Sequence, residues 1–145
     1  MKIETRDFGT VEINESDLIH FVQPVYGFEH LSDYVLLSDK NFGDGIRWLQ
    51  SAEEKDVCFI VINPSDIFTD YAPTVPLATR LAMRAGTGDN LECWVIAVIA
   101  PDFKKSTVNL KSPIFIHPEK MNGAQLILDQ DYSIRTPLFN SEKGV

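Results

Sequence analysis

"LECWVIAVIA", residues 91–100, contains the longest apolar run of the chain, which starts at Cys93. The run has the length of a strand, and its Trp, Val and Ile residues favour extended backbone. A second uninterrupted run, "VCFIVI", occupies residues 57–62. Strands whose two faces are both buried have continuous apolar sequences instead of an alternating pattern. These two runs are therefore predicted to be central strands of a sheet.

Shorter β-rich segments surround these two runs and bring the number of expected strands to about nine. They are "KIETRD", "TVEIN", "DYVLLS", "IRWLQS", "STVNLK", "PIFIHP" and "AQLILD". The first two alternate in polarity around Phe8-Gly9, as expected for a β-hairpin. Polar turns separate the others at regular spacing. This pattern predicts an all-β sandwich or barrel, and a length of 145 residues fits a single domain spanning residues 1–145.

The only good helix signal is "LATRLAMRAG", residues 77–86. Its predicted apolar face consists of Leu77, Ala78, Leu81, Ala82 and Ala85. Gly86 is suited to end the helix because glycine readily adopts the left-handed conformation found at helix ends. The expected helix has two to three turns and covers one end of the sheet.

Charge and hydropathy limit the classes of partner. The formal net charge of −8 argues against direct nucleic-acid binding, which needs a cationic surface. An acidic surface favours a basic protein partner. No membrane interaction is expected, because no apolar run approaches the ~18 residues of a membrane span. The charged start "MKIETRDFG" does not resemble a signal peptide, so the protein is expected to be cytoplasmic, with Cys58 and Cys93 as free, buried thiols.

Motifs for catalysis or metal binding are weak. His20, His30 and His117 lack metal-ligand spacing, and no serine lies in a G-x-S-x-G elbow. "GTGDN" lacks the lysine of a phosphate-binding loop and follows the predicted helix instead of opening it. We therefore expect no catalytic residues, no metal and no cofactor. A small hydrolase that uses scattered Asp and His residues is the alternative from another functional class.

The segment "IFTDYAP", residues 67–73, is the best candidate for a partner contact. Phe68 and Tyr71 flank Asp70 in a loop bounded by proline. Exposed aromatic residues beside an acid are common at protein interfaces. The alternative is that both aromatic rings pack under the loop into the core.

"STVNLKSPIFI", residues 106–116, combines strand residues with two interruptions. Asn109 places an amide among apolar residues, and Pro113 cannot donate a hydrogen bond to a sheet ladder. The segment is therefore predicted to be strand, corner, strand, with the Asn109 side chain bonding to the backbone at the bend. A sheet edge open to strand addition by a partner is the other interpretation, and it makes Asn109 and Pro113 candidate contact residues.

Taken in order, several motifs resemble the FliW family of flagellar assembly factors across nearly the whole chain. They are "GTVEINESDLIHF", "GFEHLSDYVLL", "IRWLQS", "VCFIVINP", "DYAP", "STVNLKSPIFIH" and "AQLILDQDYSIRTPL". The most specific are "WLQS", "TVNLKSPI" and the terminal Q-x-I-L-D…Y-x-x-R-x-P-L. The loop before Gly27 departs from the family's usual acid, glycine and proline, since it has Gln23-Pro24-Val25-Tyr26 instead.

The resemblance implies a small, partly open β-barrel of short antiparallel strands with one short helix and no catalysis. It implies two cytoplasmic partners: flagellin, and the translational regulator CsrA, a basic RNA-binding dimer that represses flagellin synthesis. Export of flagellin would free the protein to bind and antagonise CsrA, and flagellin translation would then rise. A generic β-barrel chaperone for another exported protein is a further alternative.

Overall fold

A computed structural model describes residues 1–139, which contain eleven strands and one α-helix. The helix, α1, spans Leu77–Ala82. The strands are β1 (Lys2–Glu4), β2 (Thr10–Glu12), β3 (Ile19–Gln23), β4 (Asp33–Leu37), β5 (Ile46–Ser51), β6 (Cys58–Ile62), β7 (Glu92–Val98), β8 (Thr107–Val108), β9 (Ile114–His117), β10 (Asn122–Gln125) and β11 (Thr136–Pro137). Three single 3₁₀ turns lie at Glu15–Asp17, Pro64–Asp66 and Phe103–Lys105.

The main sheet closes on itself. Its order is β11-β8-β7-β6-β5-β4-β3-β10-β9, and β9 also pairs with β7. The β7–β9 pairing closes a ring of seven strands. β8 and β11, the other two strands of the nine-stranded sheet, lie outside this ring. β8 and β11 extend the sheet beyond β7, and β1 with β2 forms a separate hairpin. The predicted all-β barrel with one short helix is confirmed, and its ring is closed, whereas a partly open barrel was expected.

One pairing in the ring is parallel. β10 lies parallel to β3, whereas the other strand pairs of residues 1–139 are antiparallel. Neighbouring strands joined by a tight turn must run antiparallel. β3 and β10 are far apart in the chain, so no hairpin constrains their relative direction. Their parallel orientation is set instead by the direction in which β10 enters the gap between β9 and β3 when the ring closes.

The barrel interior is filled by one face of each strand. Side chains such as Tyr34, Leu49, Val61, Trp94 and Ile114 form a contiguous buried cluster there. Strand geometry sends neighbouring residues to opposite faces. The outer face around β9 and β10 forms a second buried cluster with the segment that follows α1, made of Met83, Phe115, Ala124, Leu126 and Leu128.

The predicted apolar face of α1 was wrong. Leu77 and Leu81 are 69% and 67% exposed, whereas Thr79 and Met83 are buried. The helix ends at Ala82, before Gly86, and Arg84 takes the left-handed conformation at φ 56°. Tertiary contacts override the local pattern, because Met83 packs against the outer barrel face and its carbonyl accepts a hydrogen bond from Asn122 Nδ2 at 2.9 Å.

Candidate functional site

The "IFTDYAP" loop follows β6 and begins with the 3₁₀ turn Pro64–Asp66. The Asn63 side chain caps this turn by accepting a hydrogen bond from the Ser65 N–H at 3.1 Å. Phe68 is half-buried and packs on a cluster that contains Val95. Asp70 is exposed. The loop therefore presents its acid to solvent and turns its phenylalanine toward the barrel.

Tyr71 is also half-buried and is fixed by a specific hydrogen bond. Its hydroxyl donates to the Leu110 carbonyl at 2.7 Å. Its ring meets Tyr132 edge-on, with ring centroids 4.7 Å apart. Burial raises the pKa of the Tyr71 phenol, and the neighbouring Cys93 and Tyr132 raise it further. For Phe68 and Tyr71 the core-packing alternative describes the rings, whereas the loop exposes Ile67, Thr69, Asp70 and Ala72 to solvent.

The corner predicted between β8 and β9 is confirmed. Asn109 Oδ1 accepts hydrogen bonds from the backbone N–H groups of Lys111 and Ser112, at 3.1 and 3.0 Å. This arrangement is an Asx-type turn, in which a short amide side chain substitutes for a backbone partner. The Asn109 amide therefore holds the bend.

The edge interpretation of this corner was wrong. β8 is already paired with β11 through Val108 and Thr136. The Leu110 N–H donates to the Ser133 carbonyl at 3.1 Å. Pro113 is fully buried and shapes the corner instead of offering a contact surface. The structure brings the two predicted regions together through the Tyr71–Leu110 bond, but the edge there is occupied by the chain itself.

A cleft beside these regions escaped the sequence analysis. It has a volume of about 520 Å³ and lies between the end of β6 and the start of β7, where its lining includes Asp44, Arg47, Ser65, Tyr71, Glu92 and Trp94. These residues come from four separate segments of the chain. Arg47 and Trp94 lie in segments that the sequence identified only as strands, and no local pattern shows that the four segments meet, so the sequence offered no signal for the cleft.

Arg47 and Trp94 form the inner wall of the cleft. The Arg47 guanidinium carbon lies 5.4 Å from the centroid of the Trp94 ring, within cation–π range. Arg47 Nη1 also donates to the carbonyl oxygens of Asp44 and Ile46. Trp94 Nε1 donates to Glu92 Oε1 at 3.4 Å. These contacts hold a cation and a carboxylate in the lining of the cleft.

Cys93 contributes to the cleft lining as well. Burial raises the pKa of its thiol to about 12, so the group is protonated near neutral pH. A protonated thiol is a poor nucleophile and a poor metal ligand. The Cys93 side chain therefore acts as a small apolar group, as predicted.

The three histidines each contact a different carboxylate. His20 Nδ1 lies 3.0 Å from Asp33, His30 Nε2 lies 3.3 Å from Glu54, and His117 Nε2 lies 3.0 Å from Asp89. Over residues 1–139, no group of three or more His, Cys, Asp or Glu side chains is placed to hold a metal ion.

Asp89 links the loop after α1 to the buried His117. It accepts a hydrogen bond from the Gly86 N–H at 2.9 Å as well as contacting the imidazole. The Gly86 N–H, followed by the His117 contact, lowers the pKa of the Asp89 carboxyl.

In the described part of the chain, no helix is long and apolar enough to cross a membrane.

The fold and this surface define a class: a closed, seven-stranded β-barrel with a tethered loop and a cleft at one strand junction. Residues 2–138 match the family described as FliW protein. The chain therefore belongs to the FliW family.

Individual relatives agree with this assignment. The "Flagellar assembly factor FliW" of Caldanaerobacter subterraneus subsp. tengcongensis is 33% identical over 145 residues, covering 99% of this chain and 97% of the relative. That of Moorella thermoacetica is 37% identical over 143 residues, covering 96% and 89%. A solved structure titled "Crystal structure of the flagellar assembly factor FliW" superposes with a TM-score of 0.90 at 30% identity, covering 97% of this chain and 98% of the other.

Proposed function

We propose that this chain is a cytoplasmic flagellar assembly factor that acts by binding other proteins, without catalysis. Its two partners are flagellin and, when it is free of flagellin, the RNA-binding translational regulator CsrA. The observation that carries the proposal is the match to FliW proteins over nearly the full length of the chain, in sequence and in fold.

The net charge of −8 supports a basic regulator as partner. Two unit charges ~10 Å apart in water interact by only about 0.4 kcal/mol before screening. A single acidic side chain therefore changes the RNA affinity of a bound regulator very little. Several acting together would lower that affinity about tenfold. On this basis the chain antagonises CsrA without covering its RNA surface.

Flagellin needs a different kind of contact, because its amphipathic terminal helices offer mainly apolar surface. Of the predicted contact residues, Asp70 lies on the exposed side of the 67–73 loop. Phe68 and Tyr71 hold that loop in place, and Asn109 with Pro113 shapes the corner onto which the loop is tethered. We assign the loop and corner together to partner binding, with Asp70 as the direct contact.

The test combines purified chain, flagellin and CsrA. Isothermal titration should show binding to each partner, and added flagellin should release CsrA from a preformed complex. A gel shift should show weaker RNA binding by CsrA when the chain is present. Asp70→Asn should weaken one of the two interactions, whereas Asp39→Asn, a matched change in the β4–β5 turn, should not.

The outcomes separate the proposal from its alternatives. Absence of binding to both proteins would overturn it. Co-purification from the native cell with another exported protein would favour a generic chaperone. Reproducible turnover of a model ester, lost in Glu92→Gln, would instead favour a hydrolase that uses the cleft carboxylates.

A further inference from the structure

The junction between β6 and β7 leaves a short stretch of backbone without a strand partner. The two strands pair only at Val61↔Ile96 and Ile62↔Val95. On its other edge β7 continues to pair with β9, down to Glu92↔Ile116. Among the strand pairings of residues 1–139, Cys93 is matched with Phe115 of β9 and with no residue of β6.

The direction of the Cys93 backbone groups follows from the ladder. The Ile96 carbonyl accepts a hydrogen bond from the Asn109 N–H at 2.9 Å, so the polar groups of Ile96 face the β8 side. Successive residues of a strand direct their N–H and C=O groups to opposite edges. Those of Val95 and Cys93 therefore point toward β6. Val95 meets Ile62 there, and Cys93 faces the cleft.

Pro64 stops the ladder at this position. Ile62 pairs with Val95, so continuing the same register by two residues would place Pro64 opposite Cys93. Proline, however, has no N–H to donate. The Pro64 carbonyl is also engaged, because it accepts from the N–H groups of Ile67 and Phe68 at 3.1 and 2.8 Å. The chain therefore supplies Cys93 with neither a donor nor an acceptor from β6.

The two walls of the cleft differ in chemistry. Cys93 belongs to the outer face of β7, where Tyr71 also packs. Trp94 belongs to the inner face, and Arg47 lies over its ring. Among the residues that line the cleft, Arg47 is the one cation, Asp44 and Glu92 are carboxylates, and none of the ion pairs of residues 1–139 joins Arg47 to either of them. An apolar side chain suits the outer wall, and a carboxylate on the adjacent residue suits the inner wall.

We infer that this cleft binds a short extended peptide segment of a partner protein, which adds to the free edge of β7 at Cys93. The segment places an apolar residue opposite Cys93, beside Tyr71, and an Asp or Glu next to it in sequence, beside Arg47. Main-chain bonds provide affinity and alternating side chains provide specificity, as in other cases of strand addition. The volume of about 520 Å³ fits a few residues of such a segment.

The inference deepens the proposed function, since it rests on the chain acting by binding proteins. The test uses a synthetic peptide, so it can fail independently of the flagellin and CsrA measurements. The probe is acetyl-Thr-Asp-Val-Asp-Thr-amide, whose valine is to lie opposite Cys93 in an antiparallel pairing, with a carboxylate on each side of it. It is titrated into ¹⁵N-labelled full-length protein and followed by NMR.

The expected result is a dissociation constant of ~1 mM, with the largest amide shift changes at Cys93 and its neighbours. Two matched peptides supply controls. N-methylation of the valine removes the donor to the Cys93 carbonyl and should weaken binding at least about fivefold. Replacing both aspartates by lysine should weaken it by about the same factor. In the Arg47→Gln variant the aspartate and lysine peptides should bind alike.

Three results would overturn the inference: no shift at Cys93 with ~5 mM peptide, shifts concentrated away from the cleft, or equal binding of the N-methylated peptide. If Arg47→Gln fails to fold, the peptide controls on the unmodified chain still decide. A chain that binds flagellin and CsrA but not the peptide contradicts this inference alone. A chain that binds the peptide but neither protein contradicts the proposed function.

Discussion

The Tyr71 hydroxyl donates a hydrogen bond to the Leu110 carbonyl at 2.7 Å, across 39 positions of sequence. This bond joins the loop after β6 to the corner between β8 and β9. The two segments that the sequence suggested as separate candidates are thus one structural unit. A change in either is expected to alter the other.

Removal of this bond should destabilise the protein. Tyr71→Phe keeps the ring against Tyr132 but leaves the Leu110 carbonyl without its donor, so the free energy of unfolding should fall by about 1 kcal/mol. Urea denaturation followed by fluorescence measures this change. Tyr26→Phe is the matched control, because Tyr26 is 76% exposed, and it should change stability little. Equal stability of the two variants would show that the bond contributes nothing.

The Asn109 amide should matter through its oxygen. Asn109→Ala leaves the N–H groups of Lys111 and Ser112 without their acceptor and should reduce the free energy of unfolding by about 1–2 kcal/mol. Asn109→Asp retains an oxygen at the same place and should cost less. Chemical denaturation of both variants tests this order, and a larger loss for aspartate would contradict the proposed role of the oxygen.

Gly123 is required by a close approach inside the barrel. A Cβ atom there would come within 3.0 Å of the Phe21 ring and 3.3 Å of Ile19. Gly123→Ala should therefore overpack the interior and destabilise by about 1–3 kcal/mol. Gly88→Ala is a matched control, since its Cβ would meet nothing within 4 Å. The two variants should differ clearly in melting temperature, and similar values would refute the steric explanation.

The two thiols should make stability fall at alkaline pH. Burial raises the pKa of Cys58 to about 11 and of Cys93 to about 12, above the usual thiol value of 9.0. The folded state therefore holds these protons more tightly than the unfolded state does. The stabilisation is complete below pH 9.0 and is lost as pH rises through the folded-state values.

Urea denaturation at pH ~8 and ~10 would measure this loss. The double variant Cys58→Ala, Cys93→Ala should be less stable at both pH values but should show a smaller difference between them. Burial also raises the pKa of Tyr34 to about 12, which acts in the same direction at higher pH. An unchanged pH difference in the double variant would assign the effect to other groups.

Local pattern predicted the strands well but the helix face poorly. The continuous run at β7 and the alternation in β1 and β2 appear where expected. A strand buried on both faces has a continuous apolar sequence, and a strand buried on one face has an alternating one, so both can be identified from local sequence. α1 has only six residues, too few for its own periodicity to fix its orientation. The barrel surface selects Thr79 and Met83 instead of Leu77 and Leu81.

The same distinction applies to Gly123, which lies in β10. Nothing nearby in sequence shows that Phe21, about a hundred residues earlier, occupies the space of its missing side chain. The cleft follows the same rule, since its walls come from four segments that meet only when the ring closes.

The sequence by itself determined the all-β class, the corner at Asn109 and membership of the FliW family, because these depend on local polarity, local hydrogen bonding and ordered motifs. Only the tertiary structure decided ring closure, the parallel pairing of β3 with β10, and the free edge at Cys93. Those features depend on contacts between residues that are distant in the chain, and the free energy of such contacts is set by the completed barrel, not by any one segment.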